Sequence, residues 1–141
     1  MARASECERE IRDLHEFFVD WYTGAVESDA FERVEAALHP HFVRVAPTGD
    51  IADRESVLRS IRHEFDCHDF GTFDIEIRNV DPVVLEEEYS LVRYEECQRT
   101  TDGTNGRLST VLFTPPSSER RRAPVWRHLQ ETWLDAPFED D

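Results

Sequence analysis

One stretch constrains the fold more than any other: Leu38 to Ile61, LHPHFVRVAPTGDIADRESVLRSI. Within 24 residues it reads as a helix end, a short strand, a tight turn and a new helix. Pro40 is read as the stop of the first helix, because proline has no amide donor and crowds the turn before it. Phe42-Val43-Arg44-Val45 is β-branched and aromatic, which suits a strand. Pro47-Thr48-Gly49-Asp50 supplies turn residues. Asp53 or Ser56 is placed to cap a helix that buries Val57, Leu58 and Ile61 and ends near Phe65.

Helical periodicity extends on the N-terminal side. Ile11, Leu14, Phe18, Trp21, Tyr22 and Ala25 recur at helical spacing, and Phe17 widens that face. Glu10, Arg12, Asp13, Glu16 and Asp20 read as the solvent side. Ser5 and Glu8 have the spacing of a capping box, so a first helix is expected over Ser5–Glu27. Asp29 and Glu32 give a similar start signal for a short helix from Ala30 to His39, with Phe31, Val34, Ala37 and Leu38 buried.

The C-terminal half reads as strands. Phe73, Ile75 and Ile77 alternate with Asp74, Glu76 and Arg78; Pro82 interrupts and Val83–Leu85 resumes. Tyr89–Arg99 is a long strand, residues 101–106 a turn, and Leu108–Thr114 an antiparallel return. Pro115–Pro124 is a polar connection with Arg120–Arg122 exposed. Val125–Leu134 is the last strand, and the acidic tail 135–141 is expected to fray. Helices first and hairpin-linked strands afterwards argue α+β: three N-terminal helices on a curved, mostly antiparallel sheet. A long sheet curling round a long helix leaves a conical hollow, within a single domain spanning residues 1–141.

Composition narrows the partners. The chain has 31 acidic against 16 basic residues, a net charge of −15, and every basic residue is arginine. Such a surface repels phosphate backbones and anionic lipid, so neither nucleic acid nor membrane is expected as a partner. An arginine-rich acidic chain fits a GC-rich genome or a salt-loving cytoplasm. The second is preferred, because concentrated salt would screen the self-repulsion. No apolar run approaches the ~20 residues that span a bilayer, and MARASECEREIRD lacks the apolar core of a secretory signal. With Cys7, Cys67 and Cys97 widely spaced and odd in number, a reducing cytoplasmic location is expected.

The order of elements resembles the nuclear-transport-factor-two-like superfamily, SnoaL-like branch. The marks of that resemblance are Phe42-Val43 with Pro47-Thr48-Gly49, Asp53-Arg54, Leu91–Glu95, Arg107–Thr110, and Trp126 through Glu131–Leu134. It covers Glu8 to Leu134 and implies a cone-shaped roll. It also implies a homodimer through the outer sheet face, which Trp133 or its neighbours would fit. The resemblance does not fix a reaction, because this fold hosts isomerases, cyclases, dehydratases, hydrolases and non-catalytic binders. Ketosteroid isomerases of the superfamily carry a carboxylate base just before the proline ending the first strand; here that place is Ala46, which cannot take a proton.

Candidate site residues follow from strand alternation. Either Tyr94 and Glu96 share the cavity face, or Arg93 and Glu95 do. A glutamate there would serve as general acid or base; on the outer face it would pair with arginines across strands. His128, Gln130 and Thr132 share one face of the last strand; Arg127, Leu129, Glu131 and Trp133 share the other. His128 is the candidate acid/base residue if its face points inward, and Glu131 if the other does. Arg44 shares a face with Phe42 and Ala46, a face that the resemblance implies lines the hollow; there it would pair with Glu95, Glu96 or Glu131 or else with a ligand anion. Phe18, Trp21 and Trp126 complete the expected lining, although aromatic stripes at helical spacing usually serve as core. His63, Cys67 and His68 lack the second pair that a zinc site needs, so no metal and no cofactor is expected.

Two functions fit: a small-molecule-binding domain with a hydrophobic conical pocket, or a cofactor-independent acid/base enzyme of cyclase, isomerase or dehydratase type acting on a hydrophobic small molecule.

Overall fold

The structure is a computed structural model that describes residues 2–116 and 123–134. The Arg120–Arg122 run and the tail 135–141 lie outside the described residues. Three α-helices and one 3-10 turn pack on a six-stranded mixed sheet. The helices are α1 (Ala2–Tyr22), α2 (Glu32–Ala37) and α3 (Arg54–His63). The strands are β1 (Leu38–Val45), β2 (Ile51–Asp53), β3 (Asp74–Leu85), β4 (Ser90–Thr100), β5 (Gly103–Thr114) and β6 (Val125–Trp133). Their order across the sheet is β2-β1-β6-β5-β4-β3. Every neighbouring pair is antiparallel except β1 with β6.

Several boundaries differ from the sequence expectation for local reasons. Helix α1 starts at Ala2, so Ser5 lies inside it and makes no capping box; it ends at Tyr22 rather than Glu27. Its end is fixed from outside, where the Asp66 and His68 amides donate to the Trp21 and Tyr22 carbonyls at 3.0 and 2.8 Å. These contacts satisfy carbonyls that a helix terminus otherwise leaves open. The second helix splits into a 3-10 turn (Ser28–Phe31) and the short α2. Pro40 is not a helix stop: α2 has already ended at Ala37 and Pro40 lies within β1. It sits where the β1–β6 register shifts, between Leu38 and Val43, so its missing N–H breaks no ladder bond.

Helix α3 begins as expected, with the Asp53 carboxylate accepting from the Ser56 amide at 2.9 Å. Before it, β2 is a strand that the sequence did not announce. Strand β3 runs through Pro82 by way of two register shifts, and Asn79 at one of them has φ +52°.

The core is one cluster between α1 and the sheet, built from Ile11, Leu14, Trp21, Val34, Phe42, Val92, Tyr94, Val111, Phe113 and Trp126. Trp21 Nε1 donates to the Ile61 carbonyl at 2.8 Å, tying α1 to α3. Glu10, expected at the surface, is buried: it pairs with Arg33 at 2.9 Å and accepts from Trp126 Nε1 at 2.9 Å. A buried carboxylate is sustained only with such partners.

Candidate functional site: a hollow under the first helix

A hollow of about 220 Å³ lies between α1, α3 and the inner face of the sheet. Strand alternation decides what faces it. In register, Glu96 lies opposite Arg107, Tyr94 opposite Ser109, Ser109 opposite Glu131, and Leu129 opposite both Val111 and Arg44. All of these share the helix-covered face. Its lining combines apolar side chains, among them Leu14, Phe18, Val34, Phe42, Trp126 and Leu129, with polar ones, His15, Arg44, Glu96, Gln98, Arg107 and Glu131.

The polar lining contains two linked ionic groups. Glu131 is 5% exposed. Its Oε1 accepts from Arg44 Nε at 2.7 Å and lies 2.6 Å from Arg44 Nη2, while its Oε2 accepts from Arg107 Nη1 at 3.4 Å. The Arg107 guanidinium also donates to Asn105 Oδ1 at 3.2 Å and lies under the Trp133 ring, 4.9 Å from its centroid. The second group is His15 with Glu96. Nε2 of His15 lies 3.1 Å from Glu96 Oε1, and Gln98 Nε2 donates to Glu96 Oε2 at 2.7 Å.

The protonation of His15 follows from its neighbours. Its Nδ1 meets the Ile11 carbonyl at 2.7 Å, which can only accept. Its Nε2 meets an ionised carboxylate, which also only accepts. Both contacts favour a proton on the ring nitrogen, so the surroundings favour the imidazolium. Burial alone would lower the His15 pKa, but the charge and hydrogen bond of Glu96 outweigh it and hold it above the ordinary value. Burial would likewise raise Glu96; His15, Arg107 and Gln98 together bring it down to about 2. The Tyr94 hydroxyl is pushed up by burial and by Glu96. It sits opposite Ser109, whose hydroxyl acts on it in the lowering direction.

The residues singled out from the sequence are distributed as follows. Phe18, Phe42, Arg44, Glu96, Trp126 and Glu131 line the hollow. Tyr94 shares the Glu96 face but is buried beneath the lining, and Trp21 is core, 1% exposed. His128 and Gln130 lie on the opposite face of β6 from Leu129 and Glu131, paired in register with Leu112 and Thr110. Trp133 faces the Arg107 side, not the outer face that it was expected to cover. His63 and Cys67 join no cluster of metal-ligating side chains among the described residues.

His15 was missed, although Ile11, Leu14, His15 and Phe18 occupy positions i, i+3, i+4 and i+7 of one helix face. Arg107 and Gln98 were missed as site residues too. Gln98 follows from Glu96 by strand parity, two residues along.

No known family profile matches the chain, and no curated protein matches it by sequence. Solved structures do. An NTF2-like protein of unknown function from Pseudomonas aeruginosa aligns with TM-score 0.82 and 27% identity, covering 92% of this chain and 98% of that one. A protein with a cystatin-like fold from Caulobacter vibrioides aligns at 0.56 and 17% identity, covering 88% and 89%. The association domain of CaMKII from C. elegans aligns at 0.62 and 14% identity, covering 94% and 99%. The first of these likenesses supports the NTF2-like superfamily, and the other two share the α+β fold.

Proposed function

We propose that this protein binds a small molecule in the hollow and performs no chemistry on it. The observation that carries this reading is a hollow of mixed apolar and polar lining whose two buried carboxylates are already engaged. Glu131 is held between two guanidiniums, and Glu96 by an imidazolium and an amide. A general base needs a pKa near the working pH, and the partners of Glu96 bring it down to about 2, which makes it a weak base. The volume also limits the guest. An engineered cavity of ~150 Å³ holds benzene, so about 220 Å³ suits one ring or a short chain rather than a fused polyketide or terpenoid skeleton.

The test is a thermal-shift screen of single-ring and short-chain compounds. Arg44→Ala should change the response to any binder, because Arg44 lines the hollow. His128→Ala should leave it unchanged. Equal effects from both would defeat the reading.

A second reading has its own observation: an imidazolium–carboxylate pair bordering a cavity is a common acid/base arrangement. Turnover by wild type, abolished in Glu96→Gln with binding intact, would favour an acid/base enzyme.

We also read the outer sheet face as a homodimer contact. Leu91, Leu108 and Leu112 are half-buried there, and one structural relative is an association domain. Sedimentation of wild type against Leu112→Glu checks this; a monomeric wild type would refute it. The free cysteines fit a reducing cytoplasm, and no described helix is long and apolar enough to cross a membrane.

A further inference from the structure

We propose that the guest is a small organic monocarboxylate, held by Arg107 with its body against Phe18 and Leu129. This rests on the reading of the hollow as a binding site and adds the charge of the ligand.

The argument is a donor–acceptor balance. A guanidinium offers five N–H donors and no acceptor. The hollow brings two guanidiniums to one carboxylate, Glu131. Arg44 takes the short contacts, at 2.6 and 2.7 Å. Arg107 is left with a long 3.4 Å bond to Glu131 and a bond to the neutral amide oxygen of Asn105. Its Nε–H is buried and has no acceptor at all. Yet the Arg107 side chain is only 9% exposed, so water does not readily make up the difference.

The other carboxylates do not relieve it. Glu96 is used on both oxygens. Glu64, which also lines the hollow, is exposed and accepts from Ser60 Oγ at 3.2 Å. Around Glu131, two guanidiniums face one carboxylate. One further anion closes the balance, and a planar carboxylate matches the planar fork of an arginine. The apolar lining then receives the hydrocarbon part.

The experiment uses matched probes on the full chain: benzoate and hexanoate against benzamide and benzyl alcohol, by calorimetry. Benzoate should bind about tenfold or more tightly than benzamide, the margin expected of a charge-assisted bond over a neutral one. Arg107→Met should bring benzoate down to the benzamide level and leave benzamide within about twofold. Because Arg107 is buried and that variant could unfold, the wild type carries a second readout. The Arg107 Nε–H resonance should shift downfield and exchange more slowly with benzoate bound, and not with benzamide.

Benzamide or benzyl alcohol binding as well as benzoate would overturn the carboxylate assignment and leave the hollow as a binding site. So would inorganic phosphate competing fully with benzoate. No probe binding at all, while a hollow-filling Leu129→Trp variant folds normally, would overturn both.

Discussion

His15 and Glu96 meet at 3.1 Å beneath the first helix, 81 positions apart in the chain, each with less than a tenth of its side chain exposed. The pair joins α1 to the centre of the sheet. Removing one partner strands the other charge in the interior, at a cost of about 3–5 kcal/mol. Glu96→Gln should therefore lower the urea midpoint markedly. Without the carboxylate, burial should drive the His15 pKa below its ordinary value. Replacing both residues by leucine should cost far less than the two single changes combined. Urea denaturation of wild type, His15→Leu, Glu96→Leu and the double variant measures this coupling; additive single effects would contradict it.

The same pair sets a pH dependence. The folded pKa of His15 lies above the ordinary 6.5. Its contribution is then fully present below about pH 6.5 and lost as the pH rises through the higher folded value. Glu96 works in the opposite direction. Its contribution is present above the ordinary 4.5 and lost as the pH falls toward about 2. Thermal melts should show stability declining on the alkaline side of neutrality, and His15→Gln should flatten that limb relative to wild type. An unchanged alkaline limb would show that His15 is not the titrating group.

Gly24 ends the first helix at φ +69°, a left-handed conformation in which a Cβ costs about 1–2 kcal/mol. An added Cβ would also run into the Asp66 carboxylate. Asp66 is exposed and can swing away, so the backbone term should dominate. Gly24→Ala should destabilise by that amount in urea, and Asp66→Ala in the same background should restore little of it.

A net charge of −15 on 141 residues makes self-repulsion a large unfavourable term. Raising KCl from about 0.1 M to about 1 M shortens the screening length from ~10 to ~3 Å. If the acidic surface is an adaptation to salt, the melting temperature should climb by roughly 10 °C or more over that range, which corresponds to a few kcal/mol for a chain of this size. A flat curve would favour genome composition as the origin of the arginine-only basic set.

Much of this architecture was legible because it rests on local chemistry. The turn at Pro47–Asp50, the Asp53 cap and the long β4 and β6 strands are written in residue type and spacing. The direction in which each strand faces was not legible. Period-two alternation separates the two faces of β6 but gives no sign of which is inner when one offers His128 and Gln130 and the other Leu129 and Glu131. The inner face carries arginines and glutamates that pair across strands, and that pairing exists only once β1, β5 and β6 are side by side. Glu10 was misjudged for the same reason: its partners, Arg33 and Trp126, are 23 and 116 positions away. Tertiary pairing also overrode the boundary signals at Ser5 and Pro40.

The central claim is that an open, guest-accepting hollow lies between α1, α3 and the sheet. It is tested most directly by a high-resolution crystal structure of the protein soaked with benzoate, benzamide and benzyl alcohol. The account predicts ring density between Phe18 and Leu129, with His15 and Glu96 still in contact behind it. A space closed by its own side chains, or one holding only water after saturating soaks, would contradict it.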